Sequence, residues 1–165
     1  AVAAQAITTL AGGWSGDEPD RDNVALGALL AGWAVDHSGL GPHHALTQTA
    51  VRIASLPHVH VNGLLPLTLA AMRARDRAAF ERLDAARAQP LAALADELRQ
   101  HSELADLGQL AADAELLDRM VAAAVKRPEL ARVTPAMEHD EVLAIYRAAA
   151  LTPNRHRPDP QQIAG

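Results

Sequence analysis

The chain has 165 residues, a formal net charge of −5 and no cysteine, which fits one domain of ordinary size. The missing cysteines exclude disulfides, thiolate metal sites and cysteine nucleophiles. No basic stripe gathers the arginines on one face, which argues against nucleic acid as a partner. No apolar run reaches the ~18 residues of a membrane span. These features predict a cytoplasmic protein whose partners include neither nucleic acid nor membrane.

Helix-forming residues dominate the composition. Alanine supplies 37 positions and leucine 23, whereas aromatic residues make up 2%. Apolar residues recur at helical spacing and β-branched residues do not alternate in strand-like runs. The sequence therefore predicts an all-α fold, a bundle of about eight helices without a sheet. The predicted helices are residues 1–12, 20–37, 42–55, 61–75, 76–88, 90–101, 113–126 and 139–150.

Local signals mark several helix ends. Asp20 is a predicted N-cap, Gly12 and Gly13 are predicted to end the first helix, and Pro42 suits a first helical turn. Residues 56–60, 102–112 and 127–138 are predicted connections. Residues 1–151 are expected to form a single helical domain, and the Pro-rich residues 152–165 a tail or linker. In the second helix, five residues fall on one stripe at helical spacing: Leu26, Leu29, Leu30, Trp33 and His37.

Histidines are concentrated in one part of the chain, with five of the eight between positions 37 and 60. His44 and Gln48 lie four residues apart on one helix face, and the chain after Pro57 can return His58 to that face. Neutral imidazoles in such an arrangement can ligate a divalent metal or transfer a proton. The alternative is that they are ordinary surface or core residues. We take His44, Gln48 and His58 as candidate catalytic residues.

The remaining residues of this region are less constrained by spacing. His60 lies either beside His58 or opposite it, and His43 is expected to point toward the core. His37 follows Trp33 by one turn and fits a packed helix end. We assign His37, His60 and Asn62 to a candidate substrate pocket. Gly39-Leu40-Gly41 lacks the third glycine and the preceding strand of a dinucleotide loop, so this chain has no predicted NAD(P) site.

Several segments together resemble one enzyme family. Pro57-His58 follows His44 by fourteen residues, and these histidines stand among family-like stretches. The stretches are Ala31–Ala34, Gly41–Leu46, Leu56–His58 and Asn62, with support from Leu104–Gly108 and Asp140–Arg147. In these the chain resembles the helical C-terminal domain of the iron-type (group III) alcohol dehydrogenases, and most closely their maleylacetate reductase branch.

The resemblance implies a metal-dependent, NAD(P)-dependent oxidoreductase acting on a small carbonyl compound. In that family a separate α/β domain binds NAD(P), and four side chains of the helical domain hold iron or zinc, which polarises the reacting oxygen. His44 and His58 match the last two metal ligands. Gln48 stands where many members have another active-site histidine, and Asn62 matches a frequent asparagine.

The sequence departs from the family in four ways. The nucleotide-binding domain is not part of it, and neither is the segment that carries the first two metal ligands. Val51-Arg52 replaces a Gly-Gly pair, and Leu67 replaces the histidine of a Leu-Leu-Pro-His run. Iron or zinc would therefore be incompletely liganded by His44 and His58, and weak or no metal binding is expected.

Three functions remain open at this point. In the first, the chain is the helical part of a reductase that acts only with a nucleotide-binding domain. In the second, it is a descendant without redox activity, namely a cofactor-free isomerase, dehydratase or cyclase. In the third, it is a non-catalytic partner subunit. The expected partner is a second copy of the chain or a nucleotide-binding subunit. The surface expected to meet it contains Leu40, Val59, Val61, Leu64 and Leu65.

Overall fold

The chain folds into helices, as a computed structural model shows. The structure describes residues 1–14, 18–85, 90–101 and 113–151, and within these ranges every regular element is helical. The predicted all-α fold is confirmed, with eight α-helices of at least nine residues and two single-turn helices. They are α1 (Val2–Trp14), α2 (Arg21–Ser38), α3 (Pro42–Ala54), α4 (His58–Val61), α5 (Leu65–Arg75), α6 (Arg77–Ala85), α7 (Leu91–His101), α8 (Ala114–Ala124), α9 (Pro128–Ala131) and α10 (His139–Leu151).

The short helices lie where connections were predicted. Helix α4 falls within residues 56–60 and extends to Val61, and a 3₁₀ turn over Asn62–Leu64 leads into α5. Helix α9 falls within residues 127–138. A proline precedes or opens each of the two single-turn helices, Pro57 and Pro128, and its fixed φ favours the first helical turn. The predicted connection 102–112 and the predicted tail 152–165 lie outside the described residues.

The glycine pair of α1 does not end the helix, which corrects the sequence prediction. A Cβ on Gly13 would lie 2.9 Å from the Cβ of Asn23 and 2.9 Å from the backbone nitrogen of Val24. Gly13 therefore allows α2 to approach closely while α1 continues to Trp14. The cap of α2 is as predicted, because the Asp20 carboxylate accepts hydrogen bonds from the backbone N–H groups of Asp22 and Asn23.

The described residues divide into two compact units. The first, here called the hairpin unit, comprises Ala1–Leu40 and Asp76–Leu94. The second, the core unit, comprises Gly41–Arg75 and the described residues from Ala95 onward. The boundary falls within α7. The single domain over residues 1–151 stays a prediction.

In the hairpin unit, α1 and α2 run antiparallel at close distance. A Cβ on Gly27 would lie 2.6 Å from Cγ of Leu10, so only glycine fits there without movement. Three residues of the predicted stripe on α2 face solvent: Leu26 is 49%, Leu29 70% and Trp33 52% exposed. We call these three residues the α2 stripe. Helix α2 contacts α1 through its glycine face instead, because Gly27 lies against Leu10.

The core unit contains a hydrophobic core assembled mainly from α3, α8 and α10. Leu46, Met120 and Tyr146 are its largest fully buried side chains from these helices. The Tyr146 hydroxyl donates a 2.8 Å hydrogen bond to the carbonyl of Leu46. Burial raises the pKa of Tyr146, an effect partly offset by a hydrogen bond with Thr49 and by the charge of Arg127.

A polar contact joins α5 to α10 at the edge of this core. The Arg75 guanidinium donates to the Glu141 carboxylate and to the carbonyl of Pro135. This ion pair is largely shielded from solvent, and it fixes the end of α5, the helix that carries Thr68. Among the described residues, no helix has both the length and the apolar character needed to cross a bilayer.

Candidate histidine site

The centre of the site is His43, in the first turn of α3. Its Nδ1 lies 3.2 Å from the Thr68 hydroxyl on α5, and the residue is partly buried. The sequence prediction that His43 points inward agrees with this position. However, its partner is a polar side chain of another helix rather than the apolar core.

The environment of His43 favours the neutral ring. Burial lowers the pKa of His43 to about 4. A side-chain hydrogen bond with Asn62 acts in the opposite direction, and the charges of His44 and His58 lower the pKa further. At neutral pH the site therefore contains an uncharged imidazole with both hydrogen-bonding nitrogens available for defined partners.

His44 and His58 lie on different elements around this imidazole. His44 follows His43 in α3 and is partly buried, whereas His58 begins α4 and is exposed. Both are near enough for their charges to act on His43. Gln48 is partly buried one turn along α3 from His44. The structure thus brings His44 and His58 to the surroundings of a third imidazole.

The predicted pocket residues have different surroundings. Asn62 contributes a side-chain hydrogen bond to His43, and His60 is partly buried in α4. His37 belongs to the hairpin unit, where its Nδ1 donates a 2.8 Å hydrogen bond to the carbonyl of Trp33 and its ring stacks on the indole at 3.9 Å. The contacts of His37 are those of a packed helix end, and its role in a pocket stays a prediction.

The donor set does not fit a bound metal ion. Within the described residues, no group of three or more His, Asp or Glu side chains is arranged to hold one. A protein zinc site uses three or four side chains, and His44 and His58 supply two imidazoles. We therefore assign no reaction step in this chain to a metal.

Sequence reasoning did not identify Thr68 as part of the site. Thr68 is a buried hydroxyl within the apolar first turns of α5, and such a group needs a hydrogen-bond partner. That rule predicts a contact with the preceding turn, which is present: Thr68 Oγ1 donates to the carbonyl of Leu64 at 2.7 Å. The second contact, with His43, depends on how α3 and α5 pack and has no local signal.

Comparison with known proteins found no family model that matches the chain, no similar curated protein and no similar solved structure. The resemblance to iron-type alcohol dehydrogenases therefore rests on the residues of this sequence.

Proposed function

We propose that this chain is the helical, substrate-facing part of an oxidoreductase similar to the iron-type alcohol dehydrogenases, closest to the maleylacetate reductases. It would act together with an NAD(P)-binding domain that this sequence does not contain. The observation that carries the proposal is the common neighbourhood of His44 and His58, which come from different helices and both act on His43. These two histidines are also the positions that match the family motif.

The contribution of this chain would be to bind and orient a small carbonyl compound. Imidazole N–H groups of His44 and His58 can donate hydrogen bonds to a carbonyl oxygen, which stabilises negative charge developing on it. The neutral His43 adds a fixed dipole and no competing charge. Hydride would come from the nicotinamide bound by the other domain.

A cofactor-free function is the second candidate, and two observations favour it. The described residues contain no group of three His, Asp or Glu side chains that could hold a metal ion, and Gln48 replaces a histidine of the resembled family. The same imidazoles could then catalyse proton transfer in an isomerisation, dehydration or cyclisation. The third possibility, a non-catalytic subunit, has no specific observation in its favour.

The deciding experiment begins with the DNA next to this coding sequence. We expect it to encode a nucleotide-binding α/β domain, in frame or as an adjacent gene. Co-expressed with that domain, the chain should support oxidation of NAD(P)H by small carbonyl compounds. His44→Ala and His58→Ala should each lower kcat/KM by about 100-fold. His139→Ala is the matched control, because His139 is exposed and interacts with Asp140.

The outcomes separate the candidates. NAD(P)H oxidation that is insensitive to both variants would refute the role of the histidines. Conversion of a carbonyl compound by the chain alone, without NAD(P)H and sensitive to both variants, would favour the cofactor-free enzyme.

The proposal also implies a partner, either a second copy or the nucleotide-binding subunit. The surface predicted from sequence is wrong in part, because Val61 and Leu64 are fully buried in the core unit. Leu40 of the predicted surface is exposed, and so is the α2 stripe on the same helical hairpin; we propose that the partner covers the α2 stripe. Leu29→Glu should lower the mass measured by sedimentation at micromolar concentration. Ala28→Glu, on another face of α2, is the control and should leave the mass unchanged.

A further inference from the structure

The hydrogen bonds of Thr68 define which nitrogen of His43 carries a proton. A threonine hydroxyl has one proton to donate. Thr68 Oγ1 lies 2.7 Å from the carbonyl oxygen of Leu64 and 3.0 Å from that of Leu65. Carbonyl oxygens only accept, so the hydroxyl proton is committed to them. The contact with His43 must then be donated by the ring.

It follows that His43 is protonated on Nδ1. The Nδ1 atom lies 3.2 Å from the Thr68 oxygen, within hydrogen-bond distance. A neutral imidazole carries one N–H, so Nε2 of His43 keeps its lone pair. The ring is thus a donor toward α5 and a base at its other nitrogen.

We propose that Thr68 is a positioning residue, which holds His43 in the Nδ1–H tautomer and through it fixes the first turn of α3 with His44. The hydrogen bond connects α3 with α5. His44 is the next residue in the chain, so the orientation of the His43 ring and that of the first turn of α3 are coupled. A loss of the Thr68 contact would free His43 to rotate and would change the surroundings of His44.

The tautomer can be read directly by nuclear magnetic resonance of the whole chain labelled with ¹⁵N-histidine. Long-range proton–nitrogen correlations at neutral pH distinguish a protonated from an unprotonated ring nitrogen, and His43→Gln assigns the His43 signals. We expect Nδ1–H as the majority form in the unchanged chain. Thr68→Val should make Nε2–H the majority form and shift the ring signals of His44, and Thr68→Ser should restore both.

The matched control is Thr49→Val. Thr49 is also buried, and its hydroxyl donates to the carbonyl one turn earlier, that of Ala45, at 2.8 Å. This variant should leave the His43 tautomer unchanged. An Nε2–H majority for His43 in the unchanged chain would overturn the proposal. So would a Thr68→Val spectrum in which the His43 and His44 signals are unaltered. An equal change of the His43 tautomer in Thr49→Val would overturn it as well. Because the spectra need no cofactor or substrate, a failure of the proposed oxidoreductase activity leaves this result intact.

Discussion

The helices of the hairpin unit and those of the core unit pack in different ways. Helices α1 and α2 meet through Gly13 and Gly27, so their backbones lie close and few side chains are enclosed. Among the described residues of the hairpin unit, Ala6 is the one buried hydrophobic side chain. In the core unit, α3, α8 and α10 enclose large side chains such as Leu46, Met120 and Tyr146.

The two units differ in how much stability they gain from buried apolar side chains. Burial of a large apolar side chain contributes roughly 1.5–3 kcal/mol, and the core unit has many such residues. The hairpin unit gains mainly close contacts between backbones, while the α2 stripe remains in water. An apolar helix face left in water is typical of a surface that contacts another partner. The histidine site lies in the well-packed unit, which suits side chains that must keep a fixed geometry.

The largest expected difference comes from one substitution made in each unit. Leu46→Ala in α3 should lower the free energy of unfolding by about 2–5 kcal/mol, because it leaves a cavity in the core. Leu29→Ala in α2 removes the same atoms from an exposed position, and it should change the free energy by less than about 0.5 kcal/mol. Urea unfolding measures both. Equal losses for the two variants would contradict the contrast between the units.

Acid should act on the core unit through His43. The unfolded chain takes up a proton at this residue near pH 6.5, whereas the folded chain does so only near pH 4. The unfolded state therefore binds more protons between these values, and stability is lost as the pH falls from 6.5 to about 4. The loss should reach roughly 3 kcal/mol and level off below that range.

The contribution of His43 can be isolated by comparing variants. His43→Gln should remove this part of the acid sensitivity, as measured by urea unfolding at about pH 7 and about pH 4. His37→Gln is the control from the hairpin unit, since His37 is exposed and bound to its own helix. A His43→Gln curve parallel to that of the unchanged chain would refute the assignment.

Local signals in the sequence were sufficient for helix boundaries wherever a single residue decides them. Asp20 and Pro42 were predicted correctly because capping depends on a side chain and the backbone next to it. Gly13 was misinterpreted, since a glycine serves either as a helix end or as a place of close approach, and the choice depends on α2. The α2 stripe illustrates a related limit: periodicity shows that a helix has an apolar face but not that another element covers it.

The histidine site shows the same limit. The spacing of His44, Gln48 and His58 drew attention to the segment that also contains His43, because helix periodicity and a proline turn are local. The contact between His43 and Thr68 joins residues 25 positions apart on two helices, and no spacing rule predicts it. Perturbation of His43 depends on its burial, which is a property of the packed core unit.

A smaller effect is expected from the glycines of α2. Gly27→Ala should lower the stability of the hairpin unit by about 1–3 kcal/mol, since the new methyl group would overlap Leu10 and displace α1. A Cβ on Gly32 meets nothing within 4 Å, so Gly32→Ala should instead stabilise α2 by up to about 1 kcal/mol. Both tryptophans lie in this unit, and their fluorescence during urea unfolding reports it. Opposite signs for the two variants are the expected result, and a gain for Gly27→Ala would disprove the close packing.

The smallest effect tests whether the units differ in their helix caps as well as in their cores. Asp20 caps α2 in the hairpin unit by accepting from two backbone N–H groups, and Asp113 caps α8 in the core unit by accepting from that of Leu116 at 2.8 Å. Each cap satisfies donors that the helix cannot satisfy itself, so each Asp→Ala change should cost about 1 kcal/mol. Hydrogen exchange should show the consequence at different places. Asp20→Ala should speed exchange throughout α1 and α2, because few buried side chains hold these two helices together. Asp113→Ala should speed exchange in the first turn of α8 alone, because Leu117 and Met120 keep the rest of that helix in the core. Exchange confined to the first turn in both variants would mean that the hairpin is held as firmly as the core unit, and the contrast drawn from side-chain burial would then be wrong.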